Sequence, residues 1–183
     1  MEIYIIETKE KLKTYDITNM WQNILRKICR KRFPYKDVII TRDNNGKPFV
    51  TNIPEFHFNI SHSGRVIAIA VDNFPVGVDI ERVRDVNLKI VERFFSNKDK
   101  ENFMKVEEER RRDYFFKMWT QKESYVKCIG KGFSRMPFRK FTIEGDKLLG
   151  DNLGQYNFST YDIYDGYKMS VCRISHTDVN III

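Results

Sequence analysis

Between residues 18 and 33, Met20, Trp21, Ile24, Leu25 and Ile28 fall on one side of a 3.6-residue period and Pro34 lies just beyond, so the pattern predicts a helix. The period then changes. Val38, Ile39 and Ile40 read as a strand, Asp43-Asn44-Asn45-Gly46 as a turn, and Pro54 as the break before the next strand. Phe56, Phe58 and Ile60 alternate with His57, Asn59 and Ser61, the mark of a half-buried strand ending near His62. Val66 to Val71 is apolar at every position, as a strand covered on both faces requires. After a turn at residues 72–75, Val76, Val78 and Ile80 alternate with Gly77, Asp79 and Glu81. This run is predicted to close a hairpin with the preceding strand, one face apolar and the other carrying carboxylates.

From about Val86 the pattern turns helical, through Phe94-Phe95-Ser96 and a long charged stretch that Gly130 and Gly132 stop. Glu107 and Glu108 stand four residues before Arg111 and Arg112, the spacing of a solvated helix face. Residues 141–143, 158–163 and 167–174 read as three further strands between Gly, Asp and Asn turns. The order helix, strands, helices, strands gives an α+β fold with mainly antiparallel hairpins. A chain of 183 residues can build one ordinary domain or two small, intimately packed halves, and no repeat is visible in the sequence to choose between them.

Composition narrows the class. A hydrophobic fraction of 42% with only 5 prolines and 9 glycines belongs to a packed globular protein. Cys29, Cys128 and Cys172 form no CxxC pair and leave one thiol over under any disulfide scheme, which fits a reducing cytosol. No run of about 18 apolar residues is present, and the N-terminal segment mixes acids with a short apolar stretch, so neither a secretion signal nor a membrane anchor is expected. The net charge of +7 is densest at residues 26–32. The ordinary account is a solvated helix end, where cations also suit the dipole; nucleic acid, a phosphorylated cofactor or an acidic protein are the partners it would otherwise attract.

Two constellations carry possible chemistry. Asp79 and Glu81, two apart on a strand, share a face with Cα atoms roughly 6.5 Å apart. Trp119, Glu123 and Lys127 form an i,i+4 row along one helix edge. Either pattern alone is as well explained by a charged strand face or a Glu–Lys helix pair. Together they make three carboxylates and a lysine, a hard-oxygen set suited to Mg²⁺ and phosphate esters. The scattered His57, His62 and His176 and the scattered cysteines lack zinc spacing, and there is no P-loop, GxGxxG or GxSxG. His62, in Asn59-Ile60-Ser61-His62-Ser63, can bind phosphate or simply cap a turn.

In order, Gly46-Lys47-Pro48, Asn59-Ile60-Ser61-His62-Ser63, Val76-Gly77-Val78-Asp79-Ile80-Glu81, Phe94-Phe95-Ser96 and Trp119-Thr120-Gln121-Lys122-Glu123-Ser124-Tyr125-Val126-Lys127 with Gly130-Lys131-Gly132 resemble the surfactin-synthetase-activating type of 4′-phosphopantetheinyl transferase. The resemblance runs from about Asp43 to Ile174. It implies a pseudo-dimer of two similar α+β halves, each a small antiparallel sheet packed by helices, here residues 1–75 and 76–183, with coenzyme A between them. It implies a cytoplasmic enzyme, working as a monomer without nucleic-acid or membrane partners. That enzyme would move the phosphopantetheine arm of coenzyme A to a serine of an apo acyl or peptidyl carrier protein of fatty acid, polyketide or nonribosomal peptide synthesis, releasing 3′,5′-ADP. Asp79, Glu81 and Glu123 resemble the family's Mg²⁺ ligands. Glu123 resembles its general base and Lys127 the residue that stabilises the departing nucleotide. Lys47, Pro48, Ser61, His62 and Asp79 resemble its coenzyme A contacts.

The stretch ahead of Gly46 is shorter than is usual in the family, which leaves Lys11, Lys13 and the 26–32 cluster as candidates to grip the 3′-phosphate. The end at Ile181-Ile182-Ile183, where relatives often continue, implies different C-terminal packing. Phe94, Phe95, Phe103 and Met104 are candidates for the core and, second, for a carrier-docking patch. The same acids would also serve another Mg²⁺-dependent phosphoryl-transfer or nuclease-like enzyme, and the charge alone would serve a basic, non-enzymatic binding module.

Overall fold

A computed structural model describes residues 1–87, 89–132, 137–150, 155–174 and 179–183. The first half runs β1 (Glu2–Glu7), α1 (Thr14–Arg32), a hairpin of β2 (Ile40–Arg42) and β3 (Pro48–Val50), then β4 (His57–Ser63) and β5 (Val66–Asp72). β1 and β4 both pair antiparallel with β5. The second half repeats that plan: β6 (Val76–Arg82), a long helix, a hairpin, and two strands in which β6 and β9 flank β10 antiparallel. Its long helix is α4 (Glu108–Ile129), its hairpin is β7 (Ile143–Glu144) with β8 (Lys147–Leu148), and its last strands are β9 (Asn157–Ile163) and β10 (Tyr167–Arg173). The added α2 (Lys89–Phe94) and α3 (Asn97–Met104) precede α4, and β11 (Asn180–Ile182) returns to the first sheet, parallel to β1. The chain is therefore an α+β pseudo-dimer, each half a small antiparallel sheet packed by helices.

The apolar pattern stacks these parts in four layers. Phe58, Ile67, Ile69 and Val71 turn one face of the first sheet toward Trp21, Leu25 and Ile28 of α1. Its other face, with Ile3, Ile5, Ala68 and Ala70, meets Val76, Val78, Ile80, Met169 and Val171 of the second sheet. The far side of the second sheet carries α4. β5 is buried along its whole length because it has a helix on one side and a sheet on the other.

Several sequence expectations change here. β6 does not close a hairpin with β5, since β1 and β4 already occupy both edges of β5, and it crosses to the second sheet to pair with β10. The strand predicted at residues 38–40 lies at Ile40–Arg42, where the Asp43–Gly46 turn sets it opposite β3. The helical stretch divides into three, because a reciprocal capping box between Ser96 and Asp99 starts α3 afresh. Gly130, at φ +67°, ends α4 in the left-handed conformation that glycine adopts without a steric penalty. β1 and β11 are additional strands. Phe95 and Phe103 are core residues, Phe94 is partly buried and Met104 is 61% exposed. Glu107 and Glu108 are exposed, as a solvated face requires, although Arg112 pairs with Asp85 instead. Cys29, Cys128 and Cys172 are buried and lie outside any disulfide. Among the described residues no helix is long and apolar enough to cross a membrane.

Candidate active site

Gly77 brings the site together. A Cβ there would stand 2.0 Å from the carbonyl oxygen of Ser124 and 2.4 Å from the amide nitrogen of Cys128, so α4 lies against bare β6 backbone. That approach lowers Glu123 and Lys127 onto the next two helix-facing positions of β6, Asp79 and Glu81. Upstream on the same helix edge, Trp119 is wedged among Phe94, Phe95, Phe115 and Phe138, with ring centroids as close as 5.2 Å. Lys122, one residue before Glu123, points the other way: it is buried, pairs with buried Asp99 at 2.8 Å and donates to the carbonyls of Phe138 and Phe141. Its ammonium thus ties α4 to α3 and to the segment after the helix.

Lys127 Nζ donates to Asp79 Oδ1 at 2.6 Å and to Ser61 Oγ at 3.1 Å, and Ser61 Oγ in turn donates to Asp79 Oδ1 at 2.9 Å. Ser63 Oγ donates to Glu81 Oε2 at 2.8 Å. Asp79 is only 4% exposed, and its second oxygen, Oδ2, is buried with no hydrogen-bond partner. Burial, followed by repulsion from Asp79, raises the carboxyl pKa of Glu81 and raises that of Glu123 to about 7, against the pull of Lys127.

The residues singled out in the sequence converge on one cleft between the halves. Asn45, Gly46, Lys47, Pro48, Asn59 and Val126 line a hollow of about 250 Å³. A second hollow of about 350 Å³ is lined by Ser61, His62, Asp79, Glu81, Trp119 and Glu123. Ile60, Glu123 and Lys127 border both, so the two adjoin. Within this cleft Lys47 presents its stem, because its ammonium donates to the carbonyls of Lys127 at 2.6 Å and Cys128 at 3.4 Å in the last turn of α4. Asn45 makes a second tether from its side-chain amide to the carbonyl of Gly130 at 2.7 Å.

His62 is exposed at the mouth, its pKa lowered by partial burial and by the charges of Lys127 and Lys11. Lys11 is therefore the N-terminal cation close to the cleft. Of the 26–32 cluster, Arg26 is taken up by the carbonyl of Val38 and Arg32 by Glu2. His57 sits opposite Asp72 at the other end of β4, and His176 lies outside the described residues.

The donor set fits a hard divalent cation. Among the described residues no three acids, histidines or cysteines are already drawn together as a metal cage, and the ammonium of Lys127 rests on Asp79. Yet one Asp79 oxygen is buried and unpartnered, and Glu81 and Glu123 beside it are driven toward their neutral forms by burial and mutual repulsion. A cation removes both costs. Five contributors were not legible as site residues: Asn45, Asn59, Ser63, Gly77 and Lys122. For two of them the signal was present, in the polar alternation Asn59-x-Ser61-x-Ser63.

Comparison with known proteins brings independent observations. Residues 75–172 match the 4′-phosphopantetheinyl transferase superfamily, and residues 17–74 match the N-terminal region of a 4′-phosphopantetheinyl transferase. The 4′-phosphopantetheinyl transferase psf-1 of Bacillus pumilus is 36% identical over 163 residues, covering 85% of this chain and 70% of that protein. The 4′-phosphopantetheinyl transferase Sfp of Bacillus subtilis is 36% identical over 78% of this chain and 65% of its own length. The gsp transferase of Aneurinibacillus migulanus is 30% identical over 95% of this chain and 79% of its own.

Proposed function

This chain belongs to the 4′-phosphopantetheinyl transferase superfamily, enzymes that act on coenzyme A and carrier proteins, and from that premise we propose how its own residues divide the work. The observation that carries the proposal is the unpartnered, buried Oδ2 of Asp79, set beside Glu81 and Glu123 in a cleft between two halves. Asp79, Glu81 and Glu123 would hold Mg²⁺. When bound, that ion neutralises charge on the pyrophosphate of coenzyme A.

Residues 1–75 supply the nucleotide wall of the cleft, through Pro48, the stem of Lys47 and His62, with Lys11 as the nearest N-terminal candidate for the 3′-phosphate. Residues 76–183 supply the acids and the helix that carries Lys127. The serine oxygen of the carrier forms a bond to the phosphorus bearing the pantetheine arm, and the bond from that phosphorus to the 3′,5′-ADP oxygen breaks. The serine proton passes to Glu123, directly or through water. Lys127 offers its positive charge to the departing 3′,5′-ADP. Most of the acceleration then comes from position and electrostatics.

One chain contributes both walls of the cleft, which supports a monomer. Three buried cysteines outside any disulfide support the cytosol. Neither nucleic acid nor membrane is needed by this chemistry. Incubation with coenzyme A, Mg²⁺ and a panel of apo acyl and peptidyl carriers, followed by mass spectrometry of the carriers, tests the proposal. We expect one phosphopantetheine arm per carrier, lost when a chelator removes the metal. No gain on any carrier, or an equal gain in chelator, would contradict it.

A further inference from the structure

β6 is the edge of the second sheet, with β10 on one side only. The amides of Val78, Ile80 and Arg82 are nevertheless satisfied, by side chains of the other half: Val78 N donates to Asn59 Oδ1 at 2.9 Å, Ile80 N to Ser61 Oγ at 3.2 Å and Arg82 N to Ser63 Oγ at 3.1 Å. Both series advance by two residues, so three polar teeth on β4 engage three successive outward amides of β6 in register. An edge strand left unpaired exposes such groups, and here a side-chain ladder stands in for the missing strand.

The two serines do a second thing. A hydroxyl has one proton and two lone pairs. Ser61 accepts from Ile80 N and from Lys127 Nζ, and gives its single proton to Asp79 Oδ1. Ser63 accepts from Arg82 N and gives its proton to Glu81 Oε2. Neither hydroxyl has a proton left for a phosphate oxygen. Each instead pins one oxygen of the acid beside it, and at Asp79 this leaves Oδ2 as the oxygen without a partner.

We propose that Asn59, Ser61 and Ser63 are positioning residues, a comb from the first half that sets β6 in register and fixes which carboxylate oxygens of Asp79 and Glu81 are offered to a divalent cation. This rests on the assignment of those acids to the Mg²⁺ site. It also changes the role of Ser61, from a contact to phosphate into a support for the acid that holds the metal. Partners behind metal ligands typically govern about 10–100-fold in metal affinity.

The test uses the full chain saturated with coenzyme A, with Mg²⁺ titrated by calorimetry and the Mg²⁺ dependence of carrier modification measured in parallel. Ser63→Ala, at the rim, is the primary variant and Ser61→Ala the second. Ser63→Ala is expected to weaken Mg²⁺ binding by about tenfold or more, with thermal unfolding near that of the wild type and with transfer largely recovered at saturating Mg²⁺. Ser63→Thr, which keeps the hydroxyl, restores the affinity. Wild-type Mg²⁺ affinity in both alanine variants, or a rise in the coenzyme A requirement with the Mg²⁺ requirement unchanged, would overturn the proposal and leave the metal assignment standing. A wild-type chain that transfers without Mg²⁺ would overturn both.

Discussion

Where α1 crosses the first sheet, the helix-facing positions of its leading strand, Tyr4 and Ile6, pack with Trp21 and Leu25 in a hydrocarbon interface. Where α4 crosses the second sheet, the leading strand β6 presents Gly77, Asp79 and Glu81 instead. Topology is the same at both crossings, and the chemistry is reversed. The first interface buries apolar surface and holds the molecule together. The second brings helix and strand closer than any side chain would permit and uses the space to bury carboxylates, at a cost visible in the raised pKa values of Glu81 and Glu123. A duplicated scaffold can thus turn one strand face to polar use while the rest of α4, through Phe116, Tyr125 and Val126, still packs an apolar core of its own.

That division can be broken from either side. Trp21→Ala, in the hydrocarbon interface, should have the largest effect on stability, a loss of about 3–5 kcal/mol in denaturant unfolding, while the Mg²⁺ dependence of the protein that remains folded stays as in the wild type. Gly77→Ala should be milder in stability, about 1–3 kcal/mol, yet should abolish transfer, because the new methyl group drives α4 from β6 and separates Glu123 from Asp79. The third effect has the opposite sign. The Glu123 carboxyl titrates near 4.5 when unfolded and at about 7 when folded, so its contribution is fully present below pH 4.5 and is lost as pH rises through about 7. In metal-free protein, Glu123→Gln should therefore raise the melting temperature relative to wild type at about pH 8 and leave little difference near pH 4, while abolishing transfer.

Local periodicity made much of this legible. The helix at Met20–Ile28, the alternation that puts Asp79 and Glu81 on one face, and the Trp119–Glu123–Lys127 row are all properties of a few consecutive residues. They survive in the structure because side-chain direction is set by the backbone period. What periodicity does not encode is the partner. The alternation at residues 76–81 predicts a strand but not that β5 has both edges taken, so local pattern alone places β6 in the wrong sheet. Lys47 was legible as a cleft residue, but the fate of its ammonium depends on the end of a helix some eighty positions away. The +7 charge was the least informative signal, since Arg26, Arg32 and Lys122 are occupied by intramolecular partners. The fold itself required the ordered motifs, as the two halves share topology without visible sequence repetition.

The proposed function requires that the carboxylates between α4 and β6 form one cation-dependent reaction centre. Its most direct test is Mn²⁺ binding, followed by electron paramagnetic resonance, to coenzyme A-saturated wild-type protein and to Asp79→Asn, a variant that preserves shape and removes one charge. We expect a single tight site in the wild type, displaced by Mg²⁺, and its loss in Asp79→Asn together with carrier modification. Equal binding by the two proteins, or full transfer by Asp79→Asn, would contradict the claim.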